Sequence, residues 1–161
     1  MGERIEQIKK AIVRAFPKLI DDDKFDITSK ATPKYNCIAW AYNIDDRWMW
    51  PNTGEFEFLD GVHFWPDDEI KEATIENFIN AFRLKGYECC DDWHFEKEYQ
   101  KIALYAHPER LDVCTHASRQ LRNGCWTSKL GKENDIQHGT PFTIENELYG
   151  KVRCIMRRRF N

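Results

Sequence analysis

Apolar positions recur at helical spacing in two places along this chain and at strand spacing in four others. Ile5, Ile8, Ile12 and Ala15-Phe16 form one stripe that stops at Pro17, which predicts a first helix. Ile70, Ala73, Ile75, Phe78, Ile79, Phe82 and Leu84 predict a second helix over 69–85, closed by Gly86. Between them a polar loop runs from Asp21 to Lys34, and a short apolar run, Cys37-Ile38-Ala39-Trp40-Ala41, reads as a helix ending near Asn43. After Gly86 the period shortens to two. Strands are predicted at 101–106, at 113–121 and 125–130 as a hairpin around Asn123-Gly124, and at 149–158. The reading is helices first and an antiparallel sheet of about four strands second, an α+β organisation in a single domain spanning 1–161.

Residues 45–66 interrupt this scheme with Trp48, Trp50, Phe56, Phe58, Phe64 and Trp65 and no clear period. Such an insertion either completes the core or forms one wall of a substrate cleft.

Composition agrees with a globular domain: 161 residues, 42% hydrophobic, 14% aromatic and 32% charged, with a net charge of only −3. The basic residues are dispersed apart from Arg157-Arg158-Arg159, read as a solvated strand end, so no nucleic-acid partner is expected. The six cysteines form no C-x-x-C pair, so neither a metal nor another cofactor is expected. The charged start of the chain does not read as a signal peptide, and no apolar run reaches the roughly eighteen residues of a membrane span. The expected compartment is therefore the reducing cytoplasm, with export as an effector as the other reading.

Candidate chemistry rests on two segments. Cys37 stands at the start of its helix, where free N–H groups and the dipole favour a thiolate and would lower its pKa. His116 stands near the start of a strand and could take its proton, seven residues before Asn123-Gly124 and twelve before Ser128. A third polar group would orient the ring. Ser128 leads on spacing, Asp135 on side-chain chemistry, and His138 is the remaining candidate. Strand parity argues against Ser128: a two-residue turn pairs His116 with Gly131 and turns Thr127 and Lys129 toward the His face, unless one extra residue bulges.

Tyr35-Asn36-Cys37-Ile38-Ala39-Trp40-Ala41, Lys101-Ile102-Ala103-Leu104-Tyr105-Ala106, Thr115-His116-Ala117-Ser118-Arg119-Gln120-Leu121, Trp126-Thr127-Ser128-Lys129-Leu130-Gly131 and Asp135-Ile136-Gln137-His138 together resemble a family of uncharacterised bacterial proteins with a predicted papain-like fold. The order Cys, His, third polar residue resembles the NlpC-like branch of the papain-like cysteine peptidase and amidase superfamily. That resemblance implies a papain-like fold, with the Cys37 helix packed on the sheet, and a cysteine hydrolase acting on an amide or ester bond of an unidentified peptide-like substrate. Cys37 would attack, His116 would shuttle the proton, and the Cys37 N–H, assisted by Asn36 or Tyr35, would meet the oxyanion. Peptidase, amidase, deamidase and acyltransferase share this machinery. The competing expectation is a non-catalytic binding or immunity-type module in which Cys37 and His116 are packed core residues.

Overall fold

The computed structural model describes residues 2–51, 63–66, 69, 71–130 and 133–160. Helix α1, Gly2–Ala15, ends where the sequence places its stop, and Pro17 opens a 3-10 turn over Pro17–Asp21. There follow β1 (Asp26–Ile27), α2 (Cys37–Ala41), β2 (Trp48–Met49), β3 (His63–Phe64) and α3 (Ile75–Leu84). The chain then runs through β4 (Glu88–Cys90), β5 (Tyr99–Ala106), β6 (Cys114–Gln120), β7 (Trp126–Lys129), β8 (Asp135–His138) and β9 (Lys151–Arg159).

Seven of these strands form one antiparallel sheet in the order β1-β8-β7-β6-β5-β9-β4, and β2 with β3 makes a separate two-residue parallel pair. The expected papain-like α+β arrangement, with N-terminal helices on about four strands, is therefore corrected to a β-rich fold with few, short helices. Strands β5, β6, β7 and β9 lie where alternation and the hairpin turn predict them. The three additional strands β1, β4 and β8 are two, three and four residues long, too short to display a period, and no Asn-Gly turn marks them as it marks β7, also four residues. Helix α3 also begins later than predicted, because the Thr74 side chain accepts from the Asn77 N–H and sets the N-terminus there.

The sheet has a core on each face. On one, α2 and α3 cover Ile102, Leu104, Ala117 and Met156; on the other, α1 and its 3-10 extension cover Ala103, Tyr105, Trp126, Ile136 and Ile155. Within the aromatic insertion, Trp50 and Trp65 meet the Phe78 ring edge-on at 5.4 and 5.0 Å, so these two residues complete the α3 face. Phe56 and Phe58 lie outside the described residues.

The β6–β7 hairpin decides which side chains meet. Leu121 N–H donates to Cys125 O and Gly124 N–H to Leu121 O, so the loop holds three residues, Arg122, Asn123 and Gly124, and not two. Gly124 takes φ of +89°, the left-handed position that such loops reserve for glycine. The register becomes Arg119 with Thr127 and Gln120 with Trp126, shifted by one residue from the expected pairing. That shift turns Ser128 to the face of His116 and leaves Thr127 and Lys129 on the other.

Candidate functional site

Strand β6 carries a bulge at its start. Tyr105 pairs with His116 and Ala106 with Cys114, which leaves Thr115 out of the ladder. The displaced Thr115 hydroxyl donates to the Tyr149 carbonyl, and Asn146 Oδ1 accepts from the Tyr149 N–H at 2.7 Å. Tyr149 is thereby laid flat on His116, with ring centroids 4.0 Å apart and planes within 9°, while Tyr105 meets the same imidazole edge-on at 5.1 Å. His116 is fully buried in this sandwich.

From there a directed chain of hydrogen bonds runs to the backbone. His138 Nδ1 lies 2.7 Å from Thr140 O, which can only accept, so Nδ1 carries the proton. Burial holds His138 neutral, its pKa lowered to about 4, so its Nε2 is a bare acceptor. Ser128 donates to that nitrogen at 2.8 Å, and its oxygen accepts from His116 Nε2–H at 3.2 Å. His116, pushed well below the usual histidine range by burial and by the neighbouring His138, is therefore the Nε2–H tautomer. Its Nδ1 lone pair has no hydrogen-bond partner among the described residues.

Cys37 stands on the opposite side of the same strand. Asn36 caps α2, its side-chain oxygen accepting from the Ala39 and Met49 N–H groups while its amide donates to Met49 O. This presses Cys37 against β6 and β7, where it joins Cys114 and Ala117 in the α3-side core. The N–H groups of Ala117, Ile38 and Cys37 itself lie against the sulfur and favour the thiolate, but burial outweighs them and raises the thiol pKa to about 11. The expected lowering is thus reversed. A helix of five residues offers little dipole, and the residue is only 8% exposed.

Sulfur and imidazole thus flank one β6 peptide from its two faces. Ala117, which touches the sulfur, directly follows His116, whose ring points the other way, and Cys37 makes no hydrogen bond with the bare Nδ1. Of the expected constellation, the structure joins His116 with Ser128 and adds His138, but leaves Cys37 apart. Asp135 belongs to the Cys37 face. Its Oδ2 accepts from the Tyr35 hydroxyl at 2.7 Å, burial together with this bond raises the Tyr35 pKa to about 12, and its Oδ1 has no partner among the described residues. Asn36 and Tyr35 are both engaged elsewhere, the Asn36 amide donating to Met49 O and the Tyr35 hydroxyl to Asp135. Among the described residues no group of His, Cys, Asp and Glu side chains is arranged to hold a metal ion.

Sequence reasoning missed a surface cleft of about 450 Å³ near the start of β9. Pro108, Leu111 and Val152 give it apolar walls, and around them stand Glu147, Lys151 and Arg153, which have no ion pair or side-chain hydrogen bond among the described residues. Leu111 is 63% exposed, and so is Leu148 at 70%, beside Glu147. Widely separated loops converge there, which is why no local motif announced it.

These features define a class: a β-rich fold built on one seven-stranded sheet flanked by short helices, with a buried Ser-bridged histidine pair and an open mixed-charge cleft. The family described as Domain of unknown function (DUF7689) matches residues 26–157, and the chain belongs to that family. No curated protein and no solved structure matches it. Among the described residues no helix is long and apolar enough to cross a membrane.

Proposed function

We propose that this chain is a binding module that recognises a short peptide segment of a partner protein in the Leu111–Val152 cleft, and that Cys37 and His116 serve the two cores. The observation that carries this reading is the placement of sulfur and imidazole on opposite faces of β6, each buried, while exposed apolar and uncommitted charged side chains converge on the cleft. Thiol hydrolysis needs the base within hydrogen-bond reach of the nucleophile, directly or through one water. A cleft with apolar walls and charges of both signs suits a peptide, whose side chains fill the walls and whose own charges find partners on the rim. The six free cysteines support a reducing compartment, the cytoplasm, as the place where it works.

One experiment separates this reading from the hydrolase. The protein is incubated with p-nitrophenyl acetate and each cysteine is mapped by mass spectrometry, in parallel with a displayed-peptide selection on the wild-type protein whose binders are then titrated against Leu111→Asp. The expected result is peptides that bind the wild type and lose at least tenfold in affinity on Leu111→Asp, with no acetyl-Cys37 that depends on His116. Acetylation at Cys37 that disappears in His116→Gln, or peptides indifferent to Leu111→Asp, would overturn it.

A further inference from the structure

Cys89 and Cys154 stand on neighbouring strands at the edge of the sheet. Cys89 on β4 pairs with Met156 on β9, so Cys154, two residues before Met156, is its diagonal neighbour on the same face. Their sulfurs are 3.6 Å apart. The adjacent Cys90 pairs with Ile155 and so belongs to the other face, where its thiol donates to Asp92 O at 3.6 Å.

We propose that Cys89 and Cys154 are a reversible disulfide site, closed by exchange with a small-molecule disulfide such as oxidised glutathione. Bond formation requires the sulfurs to close from 3.6 Å to about 2.05 Å. The fold can supply that movement. Strand β4 is three residues long and paired on one side only, and β9 carries a bulge next to Cys154, where its register against β5 slips between Leu104–Cys154 and Tyr105–Val152.

The two thiols differ in a way that sets the order of events. Cys89 is exposed and Cys154 only partly so, and burial together with the Cys89 neighbour raises the Cys154 thiol to about 12. Cys89 therefore meets the oxidant first. Its thiolate attacks one sulfur of oxidised glutathione, releasing one glutathione thiolate and leaving a mixed disulfide. Cys154 then loses its proton to solvent and attacks the Cys89 sulfur, expelling the second glutathione thiolate. Two protein thiols are oxidised and one glutathione disulfide is reduced to two glutathiones. The cross-link ties the sheet-edge strand to β9 across 65 residues of chain.

The test equilibrates the whole protein with mixtures of oxidised and reduced glutathione, alkylates the remaining thiols and maps the peptides without reduction. The expected result is a linked Cys89–Cys154 peptide pair with the loss of two hydrogen masses, reversed by dithiothreitol, retained in Cys90→Ser and absent in Cys89→Ser. Accumulation of a glutathione adduct on Cys89 with no intramolecular link, or a bond that uses Cys90 in place of either thiol, would overturn the proposal.

Discussion

Ser128 and His138 share a 2.8 Å hydrogen bond in which the serine can only be the donor, because the other nitrogen of His138 is committed to the Thr140 carbonyl. That polarity propagates to His116 and fixes both imidazoles as neutral tautomers inside the α1-side core. Buried neutral histidines make stability depend on pH. The ordinary histidine pKa of 6.5 falls to about 4 for His138 in the folded state, so below pH 6.5 the unfolded chain gains a proton that the native protein refuses. Stability should hold above pH 6.5 and fall by about 3 kcal/mol from this residue alone as the pH drops from 6.5 to 4. His116, shifted in the same direction, adds to the loss. Urea midpoints measured across that window check this, and a flat profile would mean that the pair is protonated in the native state.

Cys37 gives a second pH signature. With its thiol near 11, the thiolate population at neutral pH is small, and alkylation should quicken about tenfold per pH unit up to roughly pH 10. Exposed Cys89 should react ahead of it under native conditions. Iodoacetamide mapping over time decides the order; labelling of Cys37 first at pH 6.5 would reveal a preformed thiolate.

The sequence predicted strands β5, β6, β7 and β9 and the first helix, since each is carried by a period or a turn signal within one segment. Their mutual placement was not legible. Whether Ser128 faced His116 depended on one residue of loop length, and Asn123-Gly124 is compatible with both outcomes: here Gly124 sits at the end of a three-residue loop. The Cys37–His116 pairing failed for a related reason. The face toward which β6 turns His116 depends on the bulge at Thr115 and on the packing of Tyr105 and Tyr149, which are distant in sequence. The Cys37 pKa was misjudged because helix position is local and burial is not.

Tyr149 can cover His116 only if the chain turns tightly behind it. Gly150 takes φ of +74°, and a Cβ there would lie 1.7 Å from the Ala106 carbonyl oxygen. Gly150→Ala should therefore cost about 3 kcal/mol or more, because backbone and not a flexible side chain would have to move. Thermal melting measures it, and a near-neutral variant would show that this turn has room to open.

Trp40 holds α2 to the sheet by more than its area. Its Nε1 donates to Thr127 Oγ1 at 3.2 Å, its ring stacks on Tyr35 at 5.5 Å, and the Arg119 guanidinium lies 4.4 Å from its centroid. Trp40→Phe keeps the ring contacts and should cost about 1 kcal/mol for the lost hydrogen bond, whereas Trp40→Ala should cost about 3 kcal/mol. Equal losses in the two variants would show that the Thr127 bond dominates.

Two of the polar candidates for the third group, Ser128 and Asp135, separate cleanly by substitution. Ser128→Ala leaves His116 Nε2–H and His138 Nε2 buried without partners, so it should destabilise by about 2–4 kcal/mol and release the His116 tautomer. Asp135→Asn removes a charged acceptor from Tyr35 on the far face of the sheet and should lower the raised Tyr35 pKa, leaving both imidazoles as they are. Imidazole ¹⁵N spectra distinguish the cases directly. In the wild type His116 should report Nε2–H and His138 Nδ1–H, a pattern kept in Asp135→Asn and lost in Ser128→Ala. A His116 signal that changes with Asp135 and ignores Ser128 would place the carboxylate, and not the hydroxyl, against the ring, and the β6–β7 register described here would be wrong by one residue.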